Sequence, residues 1–127
     1  MTTGPTARRA EWLSGPVDWD GVDLAQLTPA ITARSLAGEQ LSTTLFTLAP
    51  GAVVPEHAHP NDEFGYVVEG SLRVWSGGDH FDVTAGGSFF VARDQPHHAV
   101  ASDDGCRLLE CYAPPRLPTA PPTTRNP

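Results

Sequence analysis

The sequence predicts an all-β domain of the sandwich or jelly-roll kind, and three observations lead there. Short runs rich in β-branched and aromatic residues recur from Ile31 to Ala113. Gly, Pro, Asp or Asn separates most of them, as turns between strands require. No stretch sustains apolar residues at helical spacing, apart from a weak helical turn over 22–27.

The chain has 127 residues, which suits one domain with a core that stands without disulfide staples. Residues 1–10 are small, polar and unpatterned, and read as disordered. Residues 11–30 read as an N-terminal arm. There Trp12, Leu13, Val17 and Trp19 sit among turn residues, and two tryptophans need cover from the barrel or a second subunit. The barrel occupies 31–113, in the runs "ITARSL", "QLSTTLFTLA", "FGYVVEG", "SLRVWS", "HFDVT", "SFFVA", "HHAVAS" and "CRLLECYA". Residues 114–127 hold six prolines in fourteen positions and cannot build a sheet ladder, so beyond about Pro118 they read as a flexible tail.

The formal net charge of −7 argues against nucleic acid, whose phosphates demand a basic patch; Arg8-Arg9 is an isolated pair. All eight basic residues are arginine, which excludes a Schiff-base lysine. Cys106 and Cys111, five apart on one strand, point to opposite faces and read as free thiols of a reducing compartment. The N-terminus lacks the apolar segment of a secretion signal, and no run approaches the ~18 apolar residues of a membrane helix. A cytoplasmic protein is expected, acting on a small molecule, with no nucleic-acid or membrane partner.

"GAVVPEHAHPNDEFGYVVEG", Gly51 to Gly70, carries the chemistry. Alternate residues of a strand share a side, so His57 and His59 project together as two nitrogen ligands must. Pro60-Asn61-Asp62 bends the chain, and Glu63 can return a carboxylate beside the imidazoles. Two histidines and a carboxylate suit iron, manganese, nickel or zinc. An isolated H-x-H is not diagnostic, because histidines also sit on polar strand faces.

The full spacing here resembles the first motif of the cupin superfamily, G-x5-H-x-H-x3-E-x6-G, with every defining position met. "GGSFFVARDQPHHAVA" resembles the second, G-x5-P-x-G-x2-H-x3-N, with three departures: Ala92 for proline, Asp94 for glycine and Ala101 for asparagine. The resemblance implies a cupin double-stranded β-helix over about 31–113. It also implies one divalent metal ion held by His57, His59, Glu63 and His97, and a homodimer. His98 should face away from its neighbour as a surface or supporting group, with the alternative that it replaces His97. His80, between "SGGD" and "FDVT", should sit solvated in a hairpin turn.

In the last run, Leu108, Glu110 and Tyr112 share one face, while Arg107, Leu109 and Cys111 share the other. If the first face looks inward, the pocket gains a carboxylate and a phenol able to move protons. The plain alternative is a solvated Glu110 paired with Arg107 or Arg73. "HAHPNDEFGYVVEG" and "LLECYAPPR" are similar to small single-domain cupins of the pectin-degradation type, which act on unsaturated uronates. Those end in D-x-F-x3-R, matched here by Glu110, Tyr112 and Arg116, and they often carry glutamine where this chain has Glu63. Polyketide-cyclase cupins are similar too.

The reading is therefore a metal-dependent, non-oxidative isomerase, cyclase or lyase, acting on a sugar acid or polyketide. Glu110, Tyr112 and Arg116 would be its catalytic group. The alternatives are an Fe(II) cupin dioxygenase and a non-catalytic ligand-binding cupin.

Overall fold

The alternating runs become eight strands in the computed structural model, which describes residues 14–118. They are β1 (Leu24–Thr28), β2 (Ile31–Ala37), β3 (Ser42–Leu48), β4 (Val53–His57), β5 (Asp62–Ser76), β6 (Asp79–Thr84), β7 (Ser88–Val91) and β8 (His97–Ala113). Residues 1–10, Trp12 and the segment beyond Pro118 lie outside the described residues.

All pairings are antiparallel, in the order β1-β2-β3-β8-β5-β6, with β4 added to β8 and β7 to β5. The all-β jelly roll expected from the sequence is the observed architecture. Its strands are partitioned differently in four places.

The weak helical turn over 22–27 is mostly strand. Its last residues belong to β1, which pairs with β2 through Leu24↔Arg34 and Ala25↔Ala33. A five-residue segment cannot satisfy its backbone as a helix, whereas an open sheet edge supplies partners at once. Helical geometry is confined to one 3-10 turn, Trp19–Gly21, capped by the Asp18 carboxylate. Trp19 is half-buried there.

"FGYVVEG" and "SLRVWS" are one strand, β5, and "HHAVAS" and "CRLLECYA" are one strand, β8. The glycines that resembled turns are bends. Gly70 and Gly105 both have positive φ, +77° and +78°. They lie so close that a Cβ on Gly70 would collide with the Gly105 carbonyl oxygen. The ladder between β5 and β8 shifts register on either side of Gly70, so both strands turn a corner together. Their other edges pair elsewhere: in β8, Cys106–Tyr112 with β3 and His97–Val100 with β4, and in β5, Glu63–Tyr66 with β7 and Ser71–Ser76 with β6. Each long strand thus serves both layers of the roll.

The fourth difference is β4, which contains Pro55. Proline is tolerated because β4 pairs only with β8 and is irregular between Val54 and His57. His57 is its last residue, and His59 lies in the loop that follows.

Cross-strand register sorts the inner face into rows. Ser42, Tyr112, Glu63 and Val91 stand abreast across β3, β8, β5 and β7. The next inward row is Thr44, Glu110, Gly65 and Phe89. Then come Phe46, Leu108 and Val67. The first two rows carry the polar side chains, and the apolar core continues from the third into Leu72, Val74, Val83 and Ala99. On the outer face, Phe64, Tyr66, Val68 and Phe90 remain exposed. Cys106 and Cys111 are free thiols, as expected.

Candidate metal centre and acid–base group

The register that ends β4 and begins β8 pairs His57 with His97. The loop before β5 brings in His59, and the three rings have centroids 4.3 to 5.4 Å apart. One ligand nitrogen from each lies within 4.8 Å of the others. The Nδ1 atoms of His57 and His97 are each 2.8 Å from a backbone carbonyl, of Pro55 and Gln95 respectively. Those contacts turn each Nε2 toward the cluster, where it would bind a metal once it gives up any proton it carries.

Glu63 adjoins the three rings. Its Oε1 is 3.0 Å from His59 Nε2 and 3.3 Å from His97 Nε2, and its side chain is buried. His59 is buried as well, and its Nδ1 has no hydrogen-bond partner. A buried, unpartnered ring nitrogen inside a cluster of three imidazoles and one carboxylate is a donor set that fits a divalent ion.

The second motif keeps its turn despite its substitutions. Asp94 occupies the glycine position and adopts φ +64°, a left-handed conformation that Asp tolerates better than most residues. Its amide donates to the His59 carbonyl at 2.8 Å, tying the two ligand loops together.

Glu110 and Tyr112 face the cavity, with Glu110 7 % and Tyr112 3 % exposed, so the solvated-surface alternative does not hold. Arg73 is engaged elsewhere, in a two-pronged pair with Asp82 at 2.7 and 3.0 Å. The Tyr112 hydroxyl donates to Glu110 Oε1, and Glu63 lies beside them on the neighbouring strand, directly across from Tyr112.

Two buried carboxylates in contact cannot both hold a charge. Burial opposes the charge on Glu63, but hydrogen bonds from His59, His97 and Glu110 outweigh it and hold that carboxyl well below the usual range. Burial, followed by the Glu63 charge, pushes Glu110 well above it. Burial and the two carboxylates push the Tyr112 phenol up as well. Burial lowers His57, whereas for His97 the Glu63 contact overcomes burial and raises the ring. In the metal-free site the negative charge therefore rests on Glu63, and Glu110 keeps its proton to higher pH than an ordinary carboxyl.

Arg116 follows β8. Ser42 Oγ accepts from its amide at 2.8 Å and donates to its carbonyl at 2.9 Å, so one buried hydroxyl fixes the backbone at that point. Asn61 holds the same segment through the Pro114 carbonyl. The guanidinium lies 6.0 Å from the Tyr112 ring and pairs with no carboxylate among the described residues.

These groups border a cavity of about 440 Å³, lined by His57, Glu63, His97, Glu110, Tyr112 and Arg116 at the polar end. The structure thus brings all seven residues singled out in the sequence into one place. His98 points away, stacked on Trp75 with centroids 4.6 Å apart, and its Nδ1 is 3.5 Å from Glu56. His80 is exposed as expected, but it is the second residue of β6 rather than part of the turn.

Sequence reading missed the rest of the lining: Leu27 and Thr28 from β1, Phe46, Phe89, and Pro118. Gly65 was the available signal. A glycine within a strand marks a close approach, and here a Cβ would strike the Phe89 ring.

Residues 44–112 match the family described as the cupin domain. A curated relative, polyketide synthase CurC of Streptomyces cyaneus, is 35% identical over 96 residues, 74% of this chain; the chain spans 60% of that protein's length. Among solved structures, an RmlC-like cupin from Shewanella frigidimarina superposes with a TM-score of 0.74 at 28% identity, covering 79% of this chain and 90% of that one. KdgF from Halomonas sp. superposes with a TM-score of 0.72 at 25% identity, covering 76% and 90%.

Proposed function

The chain belongs to the cupin family, and from that premise we propose a metal-dependent, non-oxidative isomerase, cyclase or lyase that acts on a small oxygenated substrate. The observation that carries this reading is the contact of Tyr112, Glu110 and Glu63 at the cavity wall, beside three clustered histidines. The Glu110, Tyr112 and Arg116 spacing, similar to that of pectin-degradation cupins, supports a sugar acid as substrate, and likeness to polyketide synthase CurC supports a polyketide.

His57, His59, His97 and Glu63 would hold one divalent ion, which supplies Lewis acidity toward a substrate oxygen when bound. The chain's own residues do the remainder. Glu110 carries a proton in a site that disfavours its charge, and so acts as a general acid near neutrality. Having given that proton up, it can take another from the substrate. The Tyr112 hydroxyl, bonded to the same carboxyl, stabilises the intervening anion. Arg116 offers a planar cationic fork to an anionic substrate oxygen. The apolar remainder of the cavity keeps water from competing for the proton.

Metal content by mass spectrometry, on protein purified without chelator and beside His57→Ala, is the first test. Near-stoichiometric zinc, nickel or manganese that disappears in the variant supports the site. Iron would require an oxygen-uptake assay, because oxygen consumption would replace this reading with an oxygenase. The exposed Phe64, Tyr66, Val68 and Phe90 support a homodimer through that face. A single-chain mass in light scattering at micromolar concentration would remove that assignment.

A further inference from the structure

Resting on the acid–base reading above, we propose that the cavity receives a planar, largely apolar ring system with an anionic oxygen at one end, in preference to a polyhydroxylated sugar acid. The register of the sheet divides the cavity in two. Glu63, Glu110, Tyr112 and Arg116 share one end with the histidines. Phe46, Leu72, Val74, Phe89, Ala99 and Leu108 line the other.

Outside the histidines and the acid–base group, the lining carries two polar side chains. Thr28 Oγ1 already accepts from the Ala30 amide at 3.1 Å. Glu56 is exposed and lies near His98. Hydroxyl groups distributed around a sugar ring would lose water in the apolar part and gain no partner. A flat apolar ring has no such loss, and it meets aromatic faces at Phe46 and Phe89.

The Phe89 ring is seated for this. It lies over Gly65, in the row that also holds Glu110, so the aromatic wall and the acid are neighbours across the sheet. Size agrees: about 440 Å³ is nearly three times the ~150 Å³ apolar cavity that accepts one benzene. Arg116 has no ion pair among the described residues and borders the same space. No carboxylate among the described residues competes there with a carboxylate, phenolate or enolate oxygen of the ligand.

Titration calorimetry of the full-length, metal-bearing protein with hydroxynaphthoate and with galacturonate tests this directly. Hydroxynaphthoate should bind at least tenfold more tightly. Phe46→Ala and Arg116→Ala should each weaken it about tenfold, with folding verified by thermal melting. Equal or tighter binding of galacturonate would overturn the ring-system assignment while leaving the acid–base reading intact. Binding of neither probe would overturn it as well. The acid–base reading fails separately, if Glu110→Gln retains full turnover on a verified substrate. The wild-type comparison needs no variant, so a misfolded Phe46→Ala protein would not leave the question open.

Discussion

Two rows of the inner sheet face carry acids and hydroxyls, while the rows beyond them carry only hydrocarbon, although the same three strands build both. Ser42, Tyr112 and Glu63 lie two inward steps from Phe46, Leu108 and Val67, and Thr44 and Glu110 a single step. Alternation alone decides that all of these point inward. What differs is how each group is satisfied. Leu108 and Val67 stabilise the fold by leaving water. Glu63 and Glu110 are just as hidden, but each depends on the other and on the ring nitrogens or hydroxyl beside it. The polar rows therefore supply chemistry in a place where hydrocarbon would supply stability.

Substitution of one residue from each side should separate these roles. Glu110→Gln keeps the shape and removes the transferable proton, so turnover should fall by about 10²–10⁴ in steady-state assays with no loss of stability. Leu108→Ala should instead lower the unfolding free energy by about 2–5 kcal/mol in denaturant titrations. If both variants lost stability equally, the division between the rows would be wrong.

Dependence on pH sharpens the contrast. Glu110 is raised in the folded metal-free protein, whereas the unfolded chain releases that proton above its ordinary value of 4.5. Stability from protonated Glu110 is therefore present below that value and is lost as pH rises toward the folded pKa. Glu63 is depressed, so its contribution is present above 4.5 and lost only in acid. His97 is raised, and it subtracts from wild type and Glu110→Gln alike above 6.5. In chelator-treated protein, the stability of Glu110→Gln relative to wild type should grow as pH rises above about 5, by at most about 1.4 kcal/mol per pH unit. A gap that stays flat would mean Glu110 is ionised in the fold.

Much of this arrangement was legible in the sequence. The spacing of His57, His59, Glu63 and His97 named a ligand set that the structure gathers in one place. Alternation through Leu108, Glu110 and Tyr112 described one face correctly, but could not say which side it looked toward. Gly70 and Gly105 misled, because a glycine that bends a strand and one that ends it have the same local chemistry; only the partner strand distinguishes them. β1 was hidden for a similar reason: a short edge segment acquires its conformation from β2. Phe46 and Phe89 carry no spacing signature, since their role depends on which strands lie abreast.

Smaller effects complete the comparison. Gly65→Ala places a methyl group against Phe89, at a cost of about 1–3 kcal/mol in thermal or denaturant unfolding, and should weaken hydroxynaphthoate as the ring shifts. Burial pushes the Cys106 thiol up to about 11. In a Cys111→Ala background, labelling by a thiol reagent near neutral pH should therefore wait for unfolding. Rapid labelling of the native protein would show that water reaches the apolar end.

The hydroxyl of Ser42 meets the backbone of Arg116 across 74 positions of sequence. Contacts of that span are entropically late, because a long loop must close before any of its bonds can form. Hairpins such as β5–β6 can assemble early and locally. The row that joins Ser42, Tyr112 and Glu63 cannot, since it needs β3, β8 and β5 side by side. Competence for chemistry should thus arrive with the final closure of the chain: a partly folded molecule has hairpins but no site, and a nascent chain acquires one only after Arg116 has cleared the ribosome.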